Sequence, residues 1–218
     1  MLSCDNISKT YRRGIQEIEA VRNISLDFQK GIHIITGKSG SGKTTLLKML
    51  GGILTPDRGE VRFEGQNIYV LGEEEQAEIR GRKFSYIFQF FQLIPEYTVY
   101  DNIALPLYIR KEKKIEEKIR SVADALSIRN LMERMPDELS GGQQQRTAIG
   151  RSLVSGAKVI FADEPTGNLD RETSTQIMNI FTEMKKDKTI IMVTHDLELL
   201  DYADYVYHME DGRIQRRI

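Results

Sequence analysis

The sequence predicts an α/β protein: a mostly parallel sheet flanked by helices, with antiparallel strands at the N-terminus and an inserted α-helical lobe. Three observations lead there. Strand-like and helix-like segments alternate through the final third of the chain, the pattern of parallel strands covered on both faces. The segments IHIIT (32–36) and KVIFAD (158–163) are apolar and β-branched enough for strands with no solvated side. A glycine-rich turn joins the first of these to the helical run TTLLKMLGG, which closes on two glycines.

In chain order, Ile24-Ser25-Leu26-Asp27-Phe28 alternates apolar and polar positions, as a strand with one buried face does. EVRFEG and FSYIFQ continue the strand texture. From Tyr97 to Pro136 the texture becomes helical and charged, and Pro106 is expected to break DNIALPLYIRKEKKIEEKIRSVADALSI internally. KEKKIEEK and the EEE at 73–75 read as solvated helix faces. The ending alternates again: strand KVIFAD, helix RETSTQIMNIFTEM, strand TIIMVT, helix DLELLDYA, strand YVYHME, and RIQRRI as a solvated tail. No repeat or low-complexity linker appears, so residues 1–218 are expected to form one domain with a helical lobe inserted at about 90–155.

Composition narrows the class. Forty per cent hydrophobic and 29% charged residues suit a soluble globular chain. A net charge of -1 supplies no global field for nucleic acid, so no nucleic-acid partner is expected. Cys4, the single cysteine, cannot form an internal disulfide and fits a reducing compartment. The opening MLSCDNISKTY has no apolar signal core, and no apolar run approaches the roughly 20 residues that span a bilayer. Any membrane role must then come through a partner.

Residues 37–44, GKSGSGKT, fit G-x-x-x-x-G-K-[ST] between a strand and a helix. Glycines let successive backbone N–H groups converge on one phosphate, and the following helix points its positive end there. The spacing predicts a P-loop NTPase core, with Lys43 neutralising the β- and γ-phosphates and Thr44 ligating Mg²⁺. KVIFADE ends a strand in two acids. Ligands of parallel sheets lie at the carboxyl ends of the strands, so Asp163 is expected to hold Mg²⁺ and Glu164 to orient or deprotonate the attacking water.

With LSGGQ at 139–143, NLD at 168–170 and Thr194-His195 in the same order, the chain resembles the ATP-binding-cassette ATPases over nearly its whole length. The resemblance implies that LSGGQ serves a nucleotide on a second copy of the chain, paired head to tail, so that two ATP sites form at one interface. Ser140, Gly141, Gly142 and Gln143 would then touch the partner's ATP, while Gly37, Lys38, Ser39, Gly40, Ser41, Gly42, Lys43, Thr44 and Thr45 hold the phosphates in cis. Other matches are Tyr11 for adenine stacking, Gln89 for Mg²⁺ and water, His195 for the γ-phosphate and Asp170 for the opposite subunit. Gln92 lies near Gln89, but only Gln89 ends the strand-like run; His33 and His208 fall inside strand patterns and read as structural.

Within the family, FQFFQLIPEYTVYDNIALPL, LSGGQQQR, DEPTGNLD and an ending soon after DGRI resemble the macrolide-export, lipoprotein-release and antimicrobial-peptide-resistance branch of bacterial transporters. This implies an exporter ATPase on the cytoplasmic face, bound to integral membrane permease subunits through the segment after Gln89, where Phe90, Phe91, Leu93, Ile94, Tyr97 and Tyr100 cluster. Gly150 departs from the branch's usual alanine; a mid-helix glycine costs about 1 kcal/mol, so close helix packing is expected there. A soluble cassette ATPase of iron–sulfur assembly is the rival reading. A small-molecule kinase would have no use for LSGGQ.

Overall fold

The protein's structure, a computed structural model, describes residues 1–14, 16–167 and 169–217. β1 (Leu2–Arg13) and β2 (Gln16–Phe28) pair antiparallel, and alternation buries Leu2 and Cys4 of one with Leu26 and Phe28 of the other. β3 (Gly31–Thr36) then enters a second sheet and is followed by α1 (Lys43–Leu50). β4 (Arg58–Phe63) and the two-residue β5 (Gln66–Asn67) return to the first sheet, giving the order β2-β1-β4-β5. α2 (Glu73–Arg82) leads to β6 (Phe84–Ile87). Next come α3 (Val99–Ile109), α4 (Glu116–Ala125) and α5 (Gly141–Val154). β7 (Val159–Asp163), α6 (Arg171–Met184), β8 (Thr189–Thr194), β9 (Tyr205–Glu210) and β10 (Arg213–Arg217) complete the chain.

The second sheet has the order β10-β9-β3-β8-β7-β6, parallel except for the β9–β10 hairpin. Every residue of β3, β7 and β8 is buried, as strands covered on both faces require. Alternation along these strands separates two cores. Ile35, Phe161 and Val193 face α1 and the antiparallel sheet; Ile34, Ile160 and Met192 face the helices α3, α5 and α6.

Four sequence expectations are corrected. Pro106 lies inside α3 and does not break it. A helix-interior proline costs about 3 kcal/mol, but α3 buries Val99, Ile103 and Leu107 completely, each contributing about 1.5–3 kcal/mol. The break falls at 110–115, where Lys111 (φ 55°) terminates α3 in a left-handed cap, with the Glu112 N–H donating to the Leu107 carbonyl. KEKK is therefore a turn, and only the end of KEKKIEEK is helical. DLELLDYA forms a 3₁₀ segment, Leu197–Tyr202, with Leu199 buried and Leu200 and Tyr202 half-buried against the core; six residues are too few to nucleate an α-helix on their own. Finally, RIQRR is a paired strand, β10. Asp211 and Gly212 carry φ 46° and 79°, the two left-handed residues of a tight hairpin.

Candidate active site

The glycine-rich loop runs from the carboxyl end of β3 to the start of α1, and its glycines are not interchangeable. A Cβ on Gly37 (φ 153°) would lie 2.1 Å from the Met209 carbonyl oxygen, and one on Gly42 (φ 102°) 2.0 Å from that of Ala20. Both positions are closed to side chains, so the loop is pressed against β2 and β9. A Cβ on Gly40 (φ 80°) would meet no described residue within 4 Å. Lys43 is buried, and its Nζ donates to the Gly37 and Lys38 carbonyls at 2.7 and 2.9 Å. Burial holds its pKa below the usual lysine value, with Glu164 and Asp163 pulling the other way. The Ser41 hydroxyl is buried and has no hydrogen-bond partner among the described residues. Its backbone carbonyl accepts from the Gly212 N–H at 3.1 Å, which ties the loop to the β9–β10 turn.

The acids stand opposite this loop. Asp163 ends β7, buried, and accepts from the Thr44 hydroxyl at 3.1 Å. Burial pushes its carboxyl up; the Thr44 hydrogen bond opposes that and the Glu164 charge adds to it. Glu164 has left-handed backbone (φ 48°), fixed by its N–H donating to the Val193 carbonyl at 3.0 Å. One carboxylate oxygen accepts from the Thr194 hydroxyl at 3.2 Å, and the other lies 2.9 Å from His195 Nδ1. A carboxylate only accepts, so the ring proton is on Nδ1. This Glu164–His195 pair has no sequence signature, because the two residues come from adjacent strand ends 31 positions apart.

β6, β7, β8 and the loop after β3 thus deliver Gln89, both acids, His195 and Lys43 to one cleft of about 700 Å³ at the carboxyl ends of the parallel strands. Thr44, Thr45, Ser39, Gly40 and Gly42 line it as well, and Tyr11 of β1, 42% exposed, forms part of its wall. Gln89 is exposed, just past β6. The proposed ligand and metal fit what is present. A buried hydroxyl without a partner among the described residues and a lysine held by two loop carbonyls suit phosphate oxygens. Thr44 and Asp163 are paired hard-oxygen donors of the kind Mg²⁺ takes alongside substrate phosphates and water.

Ser140, Gly141, Gly142, Gln143 and Asp170 do not line the cleft. Ser140 caps α5 reciprocally: its Oγ accepts from Gln143 N–H at 3.3 Å, and Gln143 Oε1 accepts from Ser140 N–H at 3.0 Å. Asp170 caps α6 through the Thr173 N–H at 2.8 Å, and this bond draws its pKa down. Asn168, part of the NLD match, lies outside the described residues. Sequence reasoning missed three side chains of α5 that reach these loops. Gln145 Nε2 donates to the Pro165 carbonyl at 2.9 Å, one residue past Glu164. Arg146 donates to the Thr173 hydroxyl at 2.7 Å, which in turn donates to Asp170. Arg151 donates to the carbonyls of Phe91 and Gln92.

His33 and His208 lie within β3 and β9, away from the cleft lining. His33 is buried between Gln29 and Tyr207: Nε2 donates to the Gln29 carbonyl at 2.9 Å, and Nδ1 accepts from the Tyr207 hydroxyl at 3.1 Å.

A phosphate loop closing on α1, facing two acids at a strand end, defines a nucleoside-triphosphate hydrolase of the P-loop class. Residues 21–167 match the ABC transporter family's sequence model, and the chain belongs to that family as an ATP-hydrolysing cassette with ATP as its substrate. It is similar to MJ0796, a bacterial ABC transporter cassette solved as a dimer, with 32% identity, a TM-score of 0.95 and coverage of 100% of this chain and 98% of that one. It is also similar to a post-hydrolysis dimer of MJ0796 bound to ADP and Pi, with 33% identity, a TM-score of 0.92 and the same coverage.

Proposed function

We propose that this chain is one ATPase domain, residues 1–218, serving a bacterial ABC exporter: two copies close around two ATP molecules and drive separate membrane permease subunits. The observation that carries the reading is the end of α5. Among the described residues nothing demands glycine there: a Cβ at Gly141 would meet Phe91 at 3.7 Å, and one at Gly142 would meet Leu169 at 3.5 Å, both ordinary contacts. Capping by Ser140 does not need them either. A bare, positive helix end that spares its own cleft is suited to an anion arriving from outside, and a two-fold arrangement makes that anion the partner's ATP. That MJ0796 was solved as a dimer supports pairing of two copies.

In this mechanism Lys43 exchanges its loop carbonyls for phosphate oxygens, and the loop's N–H groups and Ser41 hydroxyl complete the cradle. Thr44, Asp163 and Gln89 would hold Mg²⁺, which neutralises phosphate charge when bound. Glu164, fixed by Val193 and Thr194, accepts a proton from the attacking water. Tyr11 stacks on the base. With its proton on Nδ1, a neutral His195 offers only a lone pair at Nε2, so donation to a γ-phosphate needs either a second ring proton or release of Glu164. Asp170, in the loop before α6, contacts the opposite copy.

The permease reading rests on the surface beside Gln89. Phe90 is 75% exposed, Ile109, 73% exposed, lines a groove with Phe88, Leu105 and Pro106, and among the described residues no helix is long and apolar enough to cross a membrane. Tyr97 is exposed too, whereas Phe91, Leu93, Ile94 and Tyr100 are half-buried, and Tyr100 packs against the lobe's own core. The segments quoted above support the macrolide, lipoprotein or antimicrobial-peptide branch, in which the chain would work at the inner face of the membrane. Glu164→Gln is expected to bind ATP, lose turnover and run as a dimer in gel filtration with ATP and Mg²⁺. A monomeric profile with ATP bound would overturn the dimer mechanism.

A further inference from the structure

Gln89 stands in a segment with little backbone support. β6 ends at Ile87, and among the described residues 90–93 make no backbone–backbone hydrogen bond. Gln92 holds φ 47°, a left-handed conformation costing a non-glycine residue about 1–2 kcal/mol. Something outside the loop must keep it in place.

Two consecutive residues of α5 bracket it. Upstream, Ser152 Oγ donates to Ser85 Oγ of β6 at 2.8 Å, with both residues buried. Downstream, Arg151 sends Nη1 to the Gln92 carbonyl at 2.7 Å and Nη2 to the Phe91 carbonyl at 3.1 Å. Arg151 has no carboxylate partner among the described residues, and burial draws its pKa below the usual arginine value. A half-buried charge without a counter-ion among the described residues, satisfied by two adjacent carbonyls, carries a desolvation cost that its geometry must offset. The planar fork matches two carbonyls at once, which a lysine ammonium does not.

We propose that Arg151 is the positioning residue for Gln89: it locks the loop to the helix that begins at Ser140, so the glutamine in one ATP site and the helix end serving the other move as one body. The inference rests on the reading above that Gln89 works at the nucleotide.

The test is steady-state Mg-ATPase of the full chain with Arg151→Ala, Arg151→Lys, Gln89→Ala and the Arg151→Ala/Gln89→Ala pair, alongside nucleotide affinity and thermal melts. Arg151→Ala is expected to lower kcat about tenfold, with KM within about twofold, and to cost little further once Gln89 is gone. Arg151→Lys, keeping charge and one donor, should recover part of the loss while melting as the wild type does. Equal losses from Arg151→Ala in both backgrounds would assign Arg151 a role independent of Gln89 and overturn the proposal. So would a full kcat in Arg151→Ala when Gln89→Ala is impaired. If Gln89→Ala itself turns over normally, the catalytic reading of Gln89 falls, and the proposal with it.

Discussion

At the scale of single residues, the site is built on backbone positions that forbid side chains. Gly42→Ala would place a methyl 2.0 Å from the Ala20 carbonyl, about half of an ordinary contact distance, in a left-handed conformation as well. Either the loop leaves β2 or the turn rearranges. ATP binding by titration should drop by about a hundredfold or more, with loss of stability beyond 2 kcal/mol in a melt. Gly40→Ala is the control: with open space around it, only the left-handed strain of about 1–2 kcal/mol applies, and the fold persists. A Gly42→Ala protein that binds ATP normally would mean that the contact with β2 is dispensable. This loop was legible in the sequence because phosphate contact dictates both residue type and spacing. Gln145, Arg146 and Arg151 were not legible. Their partners are a backbone carbonyl or a hydroxyl at least 20 positions away, and such partners leave no pattern.

At the scale of elements, α5 approaches α3 closely because Gly150 lacks a side chain. A Cβ there would sit 3.1 and 3.2 Å from Ile103 and 3.2 Å from Leu126, which agrees with the close packing expected from the sequence. Gly150→Ala gains about 1 kcal/mol of helix propensity and loses a similar amount to crowding, so urea titration should find it within about 1 kcal/mol of the wild type. Gly150→Leu has no such offset and should lose about 3 kcal/mol or more. Equal stability of the leucine variant would contradict the packing described here. The β3–β9 seam gives a pH signature. Burial holds the His33 pKa below its usual 6.5, outweighing the Gln29 hydrogen bond and the Asp204 charge. The folded state therefore keeps its full contribution from this group above pH 6.5 and loses it as pH falls toward the depressed value. Subtracting the pH profile of a His33→Gln variant should expose this acid-side slope; parallel profiles would refute it. Strands β3, β7 and β8 were legible from their uninterrupted apolar runs. The true end of α3 was not, because its signal is a lysine in a glycine-like conformation, which tertiary packing supplies.

At the scale of the whole molecule, one helix joins sites that different copies would share. α5 begins at the exposed Ser140 cap and holds the loops following Glu164 and Gln89, as well as the Asp170 cap. Ser140→Arg should therefore abolish hydrolysis while ATP affinity of the isolated monomer, measured by calorimetry, stays within about twofold, because the substitution is remote from the cis cleft. A large fall in monomer affinity would show the helix end acting on its own nucleotide. The tight turn at Asp211–Gly212 connects to the same machinery from the other side: Gly212 gives its N–H to Ser41, and its carbonyl accepts from Arg22 at 2.8 Å. A fluorophore attached at solvent-facing Asp211 would thus sit a single hydrogen bond from the phosphate loop, making that hairpin a natural place to watch nucleotide loading in real time.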